Sequence, residues 1–317
     1  MRQYNYLSKE NTTAVNGIFI LVVFLSHLRE YVTLPQILQG FTSSLGQLMV
    51  AMFLFYSGYG VMESIKKKGI EYVREIPLKR VGKVLFSFDI AVLVFAVLNI
   101  LLEIPFTLPK FLLSLVGWES LGNSNWYIFV VLCLYFITWL SFMIGKDKRW
   151  VSFCFLVVFS VILFFILYET KESWWYNTLT AYPFGVFFSL TKEKWDKYLS
   201  KNIVWLPVAV GSVFVTVILR PQSWHFYVYL LMTITYCLFI ICITKKVPVY
   251  NPVLYWLGGH LFEIYILMRI PMIVLKRIQV PILHTPLVFG LVSLVITLLM
   301  AAGFHWFLQR KITFRKE

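Results

Sequence analysis

A chain of 317 residues that is 59% hydrophobic and only 14% charged lies outside the soluble range, where about half the residues are apolar and a quarter charged. Its mean hydropathy of +0.76 points the same way. The net charge of +14 falls in short basic clusters between apolar runs, the spacing of orientation signals and not of a nucleic-acid face, so no nucleic-acid partner is expected.

Apolar runs follow one another at 14–32, 42–64, 84–102, 125–144, 150–168, 174–190, 203–219, 225–244, 253–275 and 284–308. A run of about 20 residues at 1.5 Å rise crosses a ~30 Å hydrocarbon core. The expected fold class is therefore all-α, a polytopic membrane helix bundle of about ten transmembrane helices forming one integral-membrane domain over 1–317. The first run is too long for a cleavable signal peptide and lacks a small-residue cleavage site, so it is expected to be a retained span. The sixth is interrupted by Pro183 and Gly185, a break that neighbouring helices can tolerate in a bundle.

Alternate connections carry the cations. Arg2 and Lys9 precede the first span, and Lys66, Lys67, Lys68, Arg74, Lys79, Arg80 and Lys83 follow the second. Lys146, Lys148 and Arg149 follow the fourth, and Lys192, Lys194, Lys197 and Lys201 the sixth. Lys245 and Lys246 follow the eighth, and Arg310, Lys311, Arg315 and Lys316 end the chain. The positive-inside rule then places both termini in the cytoplasm. Cys133, Cys154, Cys237 and Cys242 all lie within apolar runs without ligand spacing; they read as small core residues, and no metal is expected.

The first span, AVNGIFILVVFLSHLREYV, holds one imidazole, His27, with Arg29 and Glu30 just beyond. An intramembrane histidine must be hydrogen-bonded or face water, and it serves either interhelical bonding or chemistry. The topology puts it in the outer half of the span, and Asn16 shares its helical face. Glu30, at i+3, is placed to orient the ring. In AMFLFYSGYG, Gly58 and Gly60 imply close helix packing, and Ser57 lacks a nucleophile elbow.

Lys79, Arg80 and Lys83 open the third span at spacings of three and four, and on an α-helix they project from one face. Such a cluster serves topology alone or binds a polyanion, with Arg able to fork onto phosphate. Asp89, deeper in the same span, needs a partner on another helix. Trp126 and Tyr127 open the fourth span, as interfacial anchors or as faces on which a sugar stacks. The ninth span carries His260, Glu263 and Arg269; the first two, at i and i+3, are within reach of each other, and the span is expected to face the bundle interior. His305, near the inner end of the last span, is expected at the headgroups.

Five segments in order now carry a resemblance: NGIFILVVFLSH, AMFLFYSGYG, PLKRVGKVL, NSNWYIFVVLCLY and LGGHLFEIYILMRIP. Together they resemble the acyltransferase-3 family of bacterial integral-membrane O-acyltransferases, whose members are about this length. The correspondences are its first helix ending in histidine, its Phe-rich Ser-Gly-Tyr helix and its Arg-x-x-Arg segment, then its Trp-Tyr helix opening and its late Leu-Gly segment. Three positions differ from the family pattern. Asn16 stands where Arg or Lys is common, Lys83 replaces the second Arg of Arg-x-x-Arg, and Arg269 stands where His is common.

The resemblance implies a multi-pass protein of the bacterial cytoplasmic membrane, in contact with membrane lipid. It also implies transfer of an acyl group, commonly acetyl from acetyl-CoA, to a hydroxyl of a cell-surface or lipid-linked carbohydrate acceptor. Read beside that chemistry, His27 and Glu30 are expected in catalysis, Lys79, Arg80 and Lys83 at the acyl-CoA, and Trp126, Tyr127 and Arg269 at the acceptor. Two other classes fit the same ionisable residues: a transporter or flippase of a polyanionic or lipid-linked substrate, and a sensor or scaffold without chemistry.

Overall fold

The computed structural model describes residues 4–313, without the side chains of residues 41, 44, 284 and 311–313. Arg2, Arg315, Lys316 and the side chain of Lys311, all counted among the expected cytoplasmic cations, lie outside the described residues. In chain order the helices are α1 (Lys9–Leu28), α2 (Gln36–Lys68), α3 (Ile70–Ile76), α4 (Lys83–Leu101), α5 (Leu108–Leu115), α6 (Trp126–Gly145) and α7 (Arg149–Thr170). Then come α8 (Ala181–Leu199), α9 (Asn202–Leu219), α10 (Phe226–Lys246), α11 (Pro252–Gly259), α12 (Leu261–Leu267), α13 (Arg269–Arg277) and α14 (Pro286–Thr313). The described residues contain no strand, so the chain is all-α.

Among the described residues, 8 helices are long and apolar enough to cross a membrane, or 9 if a bent pair counts as one span. Their surfaces suit lipid. Leu206, Val210, Phe214 and Val217 along α9 are each more than half exposed, an apolar stripe that water would not tolerate. The chain is thus built as a multi-pass membrane protein.

The sixth expected span differs most from its sequence reading. Residues Ser173–Trp175 form a short 3₁₀ turn, and α8 begins only at Ala181. Pro183 lies in the first turn of α8, where its missing N–H costs nothing, so it does not interrupt the helix. The second half of α8, TKEKWDKYL, is too charged for it to count among the apolar spans.

The ninth span is likewise not one helix. It is bent by 59° between α11 and the segment Leu261–Arg277, at the Gly258–Gly259 pair and His260. α12 and α13 are separated at Met268, because Pro271 has no N–H to offer Leu267 O.

The chain divides into two compact units, each discontinuous in sequence. One comprises 1–12, 47–83 and 130–249, the other 13–46, 84–129 and 250–317. Within the first unit, α2 and α8 approach backbone to backbone. A Cβ on Gly58 would run into Tyr182 O, and one on Gly185 into Phe55 O. Close packing was expected at Gly58 and Gly60, and Gly58 alone provides it; nothing lies within 4 Å of a Cβ on Gly60.

Asp196 ties the same unit together. It accepts from Tyr6 Oη at 2.7 Å, from Lys245 Nζ at 2.8 Å and from Lys192 Nζ. Burial pushes its carboxyl up, but those hydrogen bonds outweigh it and hold the group below the usual carboxylate range. A depressed carboxyl contributes stability above its unfolded pKa and loses it as pH falls through the folded one. Thermal unfolding of the solubilised chain is therefore expected to change little down to about pH 4 on this group's account, and to weaken below it. Asp196→Asn should flatten that acid limb, and an identical limb in both proteins would dismiss the clamp.

Candidate functional site

The second unit gathers the residues of interest around the end of α1. That helix ends at Leu28, and the chain turns back on itself through Glu30 N–H to His27 O (3.1 Å) and Tyr31 N–H to Leu28 O (3.0 Å). The turn keeps Glu30 one helical step from His27 although it lies outside the helix. His27 Nδ1 is 3.1 Å from Glu30 Oε1. A carboxylate only accepts, so Nδ1 carries the proton and donates it, which in the neutral imidazole leaves the lone pair on Nε2 as the base. The His27 side chain is 15% exposed, sheltered but not sealed.

Glu30 is held from its other side. Arg269, the first residue of α13, donates from Nη2 to Glu30 Oε2 at 2.6 Å. Arg269 Nε reaches Tyr31 Oη at 3.4 Å, and its guanidinium lies 5.9 Å from the Tyr31 ring centroid. Lys276 Nζ donates to Tyr31 O at 2.7 Å and fixes the same turn. One carboxylate thus joins an imidazole from α1 to a guanidinium from α13.

Aromatic rings extend the cluster. The His27 ring meets Tyr265 edge-on at 6.5 Å, and Tyr265 meets Tyr127 at 5.4 Å. Tyr127 is buried, which does not fit an interfacial anchor, whereas Trp126 is half-buried with its ring 6.4 Å from Tyr127. His27, Glu30, Arg269 and Tyr127 are therefore brought together, with Trp126 at the edge. Sequence reasoning missed Tyr31 and Tyr265. Each lies four residues from a named site residue, Tyr31 after His27 and Tyr265 before Arg269, so helical spacing was the available signal.

What sets α1 in place is a reciprocal close approach with α11. A Cβ on Gly17 would collide with Leu254 O, and one on Gly258 with Thr13 O. Each helix places its glycine four residues from the carbonyl that the other glycine meets, so the two backbones lie against each other with no side chain between.

The basic residues lie in the first unit and do not form the expected single face. Pro77–Gly82 is π-helical. Pro77 has no N–H for Val73 O and its ring crowds that carbonyl, so the ladder widens to i→i+5 and residues four apart no longer stack. Lys79 turns to Glu75 at 2.6 Å and is exposed, as is Lys83. Arg80 turns inward, donating from Nε to Tyr72 Oη at 3.0 Å and lying 5.9 Å from the Tyr135 ring. Tyr135 Oη is 2.7 Å from Ser57 Oγ, which gives Ser57 a polar partner as well as a packing role.

Two other intramembrane expectations change. Among the described residues His260 makes no hydrogen bond to Glu263; its Nδ1 is 2.8 Å from Trp256 O instead. The buried Glu263 instead pairs with His305 Nδ1 at 2.6 Å, and His305 Nε2 takes a hydrogen bond from Gln309 at 2.7 Å. His305 is thus a partner inside the unit and not merely a headgroup residue. Neither Asp89 Oδ1 nor Asn16 Oδ1 has a hydrogen-bond partner among the described residues.

No family model matches the chain, and neither a curated protein nor a solved structure matches it.

Proposed function

We propose that the protein is a bacterial membrane O-acyltransferase of the acyltransferase-3 type. It moves an acyl group, acetyl in the first instance, from cytoplasmic acyl-CoA to a hydroxyl of a cell-surface or lipid-linked carbohydrate. The observation that carries this reading is the Arg269–Glu30–His27 chain, which occupies His27 Nδ1 and, in the neutral imidazole, leaves the lone pair on Nε2. That nitrogen takes the proton of the acceptor hydroxyl as its oxygen attacks the thioester carbonyl. The C–S bond then breaks, and the imidazolium returns the proton to the departing thiolate, so proton and electron pair balance. Glu30 stabilises the imidazolium that forms between the two steps, and Arg269 keeps Glu30 in place. Trp126 offers a partly open ring for a sugar face.

On the donor side Arg80 is the principal anchor for the CoA phosphates. Tyr72 steadies its Nε, and a guanidinium can fork onto phosphate where a lysine acts as a point charge. Lys79 and Lys83 supply exposed flanking charge.

Membranes containing the protein, given acetyl-labelled acetyl-CoA, should place label in an envelope glycan. Arg80→Ala should raise the KM for acetyl-CoA by about tenfold, the scale of one charge-assisted hydrogen bond, with little change in kcat. Unchanged KM would remove Arg80 from the donor site, and no labelled glycan from the unaltered protein would sink the acyltransferase reading.

One observation favours a transporter or flippase as the second reading. The helix broken at His260, with Glu263 and His305 paired beside it, has the discontinuous form that lines substrate paths in carriers. Translocation of a labelled glycolipid without acyl transfer by the same membranes would favour it.

A further inference from the structure

One face of α1 forms a wall of an apolar groove. Leu21, Phe24, Leu25 and Leu28 recur at helical spacing, and they face the start of α14 across a cavity of about 680 Å³. Leu287, Gly290 and Leu291 line the opposite wall, and Thr33, Leu34, Pro35 and Leu38 complete the lining. Apart from Thr33 the lining residues carry no polar side chain. Gly290 keeps the floor open, since a Cβ there would come within 3.0 Å of Leu28 Cδ2. Leu287 is 72% exposed and Leu291 55%, so the groove opens along the surface that a bilayer covers. Phe24 and Leu28 of this wall flank His27 along the same helix.

The turn between the lining residues Leu28 and Thr33 is cationic. Arg29 follows directly on Leu28 and is exposed, Lys276 is exposed and bonded to Tyr31 O, and Arg269 is bonded to Glu30. Around that turn Glu30 is the carboxylate facing them, so positive charge is in excess. An apolar slot ending in surplus cations is complementary to one molecular shape, a hydrocarbon chain with a strongly anionic head. A phosphate monoester carries about −1.5 to −2 charges at neutral pH, which matches that surplus better than a zwitterionic head does.

We propose that this groove binds a single-chain lipid monophosphate, its chain along α1 and α14 and its phosphate on Arg29 and Lys276, next to His27. Binding stands on the groove and its charges alone. Only the further step, that such a lipid carries the accepting hydroxyl, rests on the acyl-transfer reading.

The test uses the full chain in zwitterionic nanodiscs and hexadecyl phosphate with a photoreactive diazirine near its chain end. Label is expected in peptides covering 21–38 and 286–294. Unlabelled hexadecyl phosphate should displace it, whereas hexadecanol, inorganic phosphate and phosphatidylcholine should not. Leu291→Trp fills the groove from an exposed position and should abolish labelling without disturbing the fold; Gly290→Phe, if it folds, should do the same. The double variant Arg29→Gln, Lys276→Gln should weaken binding by at least about tenfold. Label spread evenly over the spans, equal displacement by hexadecanol or phosphatidylcholine, or undiminished binding by the double variant would each overturn the proposal. Specific labelling by a protein that transfers no acyl group would leave the lipid site standing and remove the enzymatic reading instead.

Discussion

Replacing His27 with alanine is expected to lower acyl transfer by about 10²- to 10⁴-fold, the usual contribution of a positioned general base. The loss should appear in kcat, with the KM for acyl-CoA little changed, because the imidazole acts on the acceptor proton and not on the donor phosphates. Glu30→Gln should have a smaller effect in the same direction. A neutral amide still accepts from Nδ1–H, but it stabilises the imidazolium less and releases Arg269 from its 2.6 Å ion pair. The measurement is the rate of label transfer at saturating donor, beside a thermal unfolding midpoint that reports intact folding. Wild-type rates in folded His27→Ala would take the imidazole out of the reaction. A raised donor KM with unchanged kcat would move it from catalysis to binding.

The second large effect is on folding. Gly258→Ala adds one carbon where the nearest obstruction is Thr13 backbone, and Gly17→Ala adds one against Leu254 backbone. Overpacking a yielding core costs about 1–3 kcal/mol, and main-chain atoms inside helices yield less than side-chain tips, so each substitution should reach the top of that range or pass it. Both should lower the unfolding midpoint sharply and displace α1, and so His27, relative to α13. The contrast is Gly303→Ala in α14 or Gly211→Ala in α9, where nothing lies within 4 Å of the added carbon. Those changes should be neutral or stabilising, since alanine is the better helix former by about 1 kcal/mol. Equal stability for Gly258→Ala and Gly303→Ala would show that the α1–α11 contact does not hold the site.

Much of the local order around the site was legible in the chain itself. His27 and Glu30 are three residues apart, and the chain turn after Leu28 preserves the contact that spacing implies. The all-helical, multi-pass character follows from long apolar runs, because a backbone in hydrocarbon must satisfy its own hydrogen bonds. Where the reading went astray, proline and glycine altered the ladder on which it relied. Pro77 widened a turn and separated Arg80 from Lys79 and Lys83; the Gly258–Gly259 pair bent the ninth span and parted His260 from Glu263. Pro183, a helix breaker in mid-span, lies in a first turn where it is harmless.

Composition, hydropathy and the position of each titratable group along its own run were properties of the sequence by itself, since each depends only on near neighbours in the chain. Tertiary structure alone decided that Glu30 is shared between His27 and Arg269, that Glu263 belongs to His305, and that Gly17 and Gly258 lie against opposing carbonyls. Glu30 and Arg269, Glu263 and His305, and each of the two glycines and the carbonyl it meets are separated by dozens to hundreds of residues. Which of several buried charges meets which depends on how closely two helices approach and on their rotation about their axes, and both are set by the packing of small residues that carry no chemistry of their own.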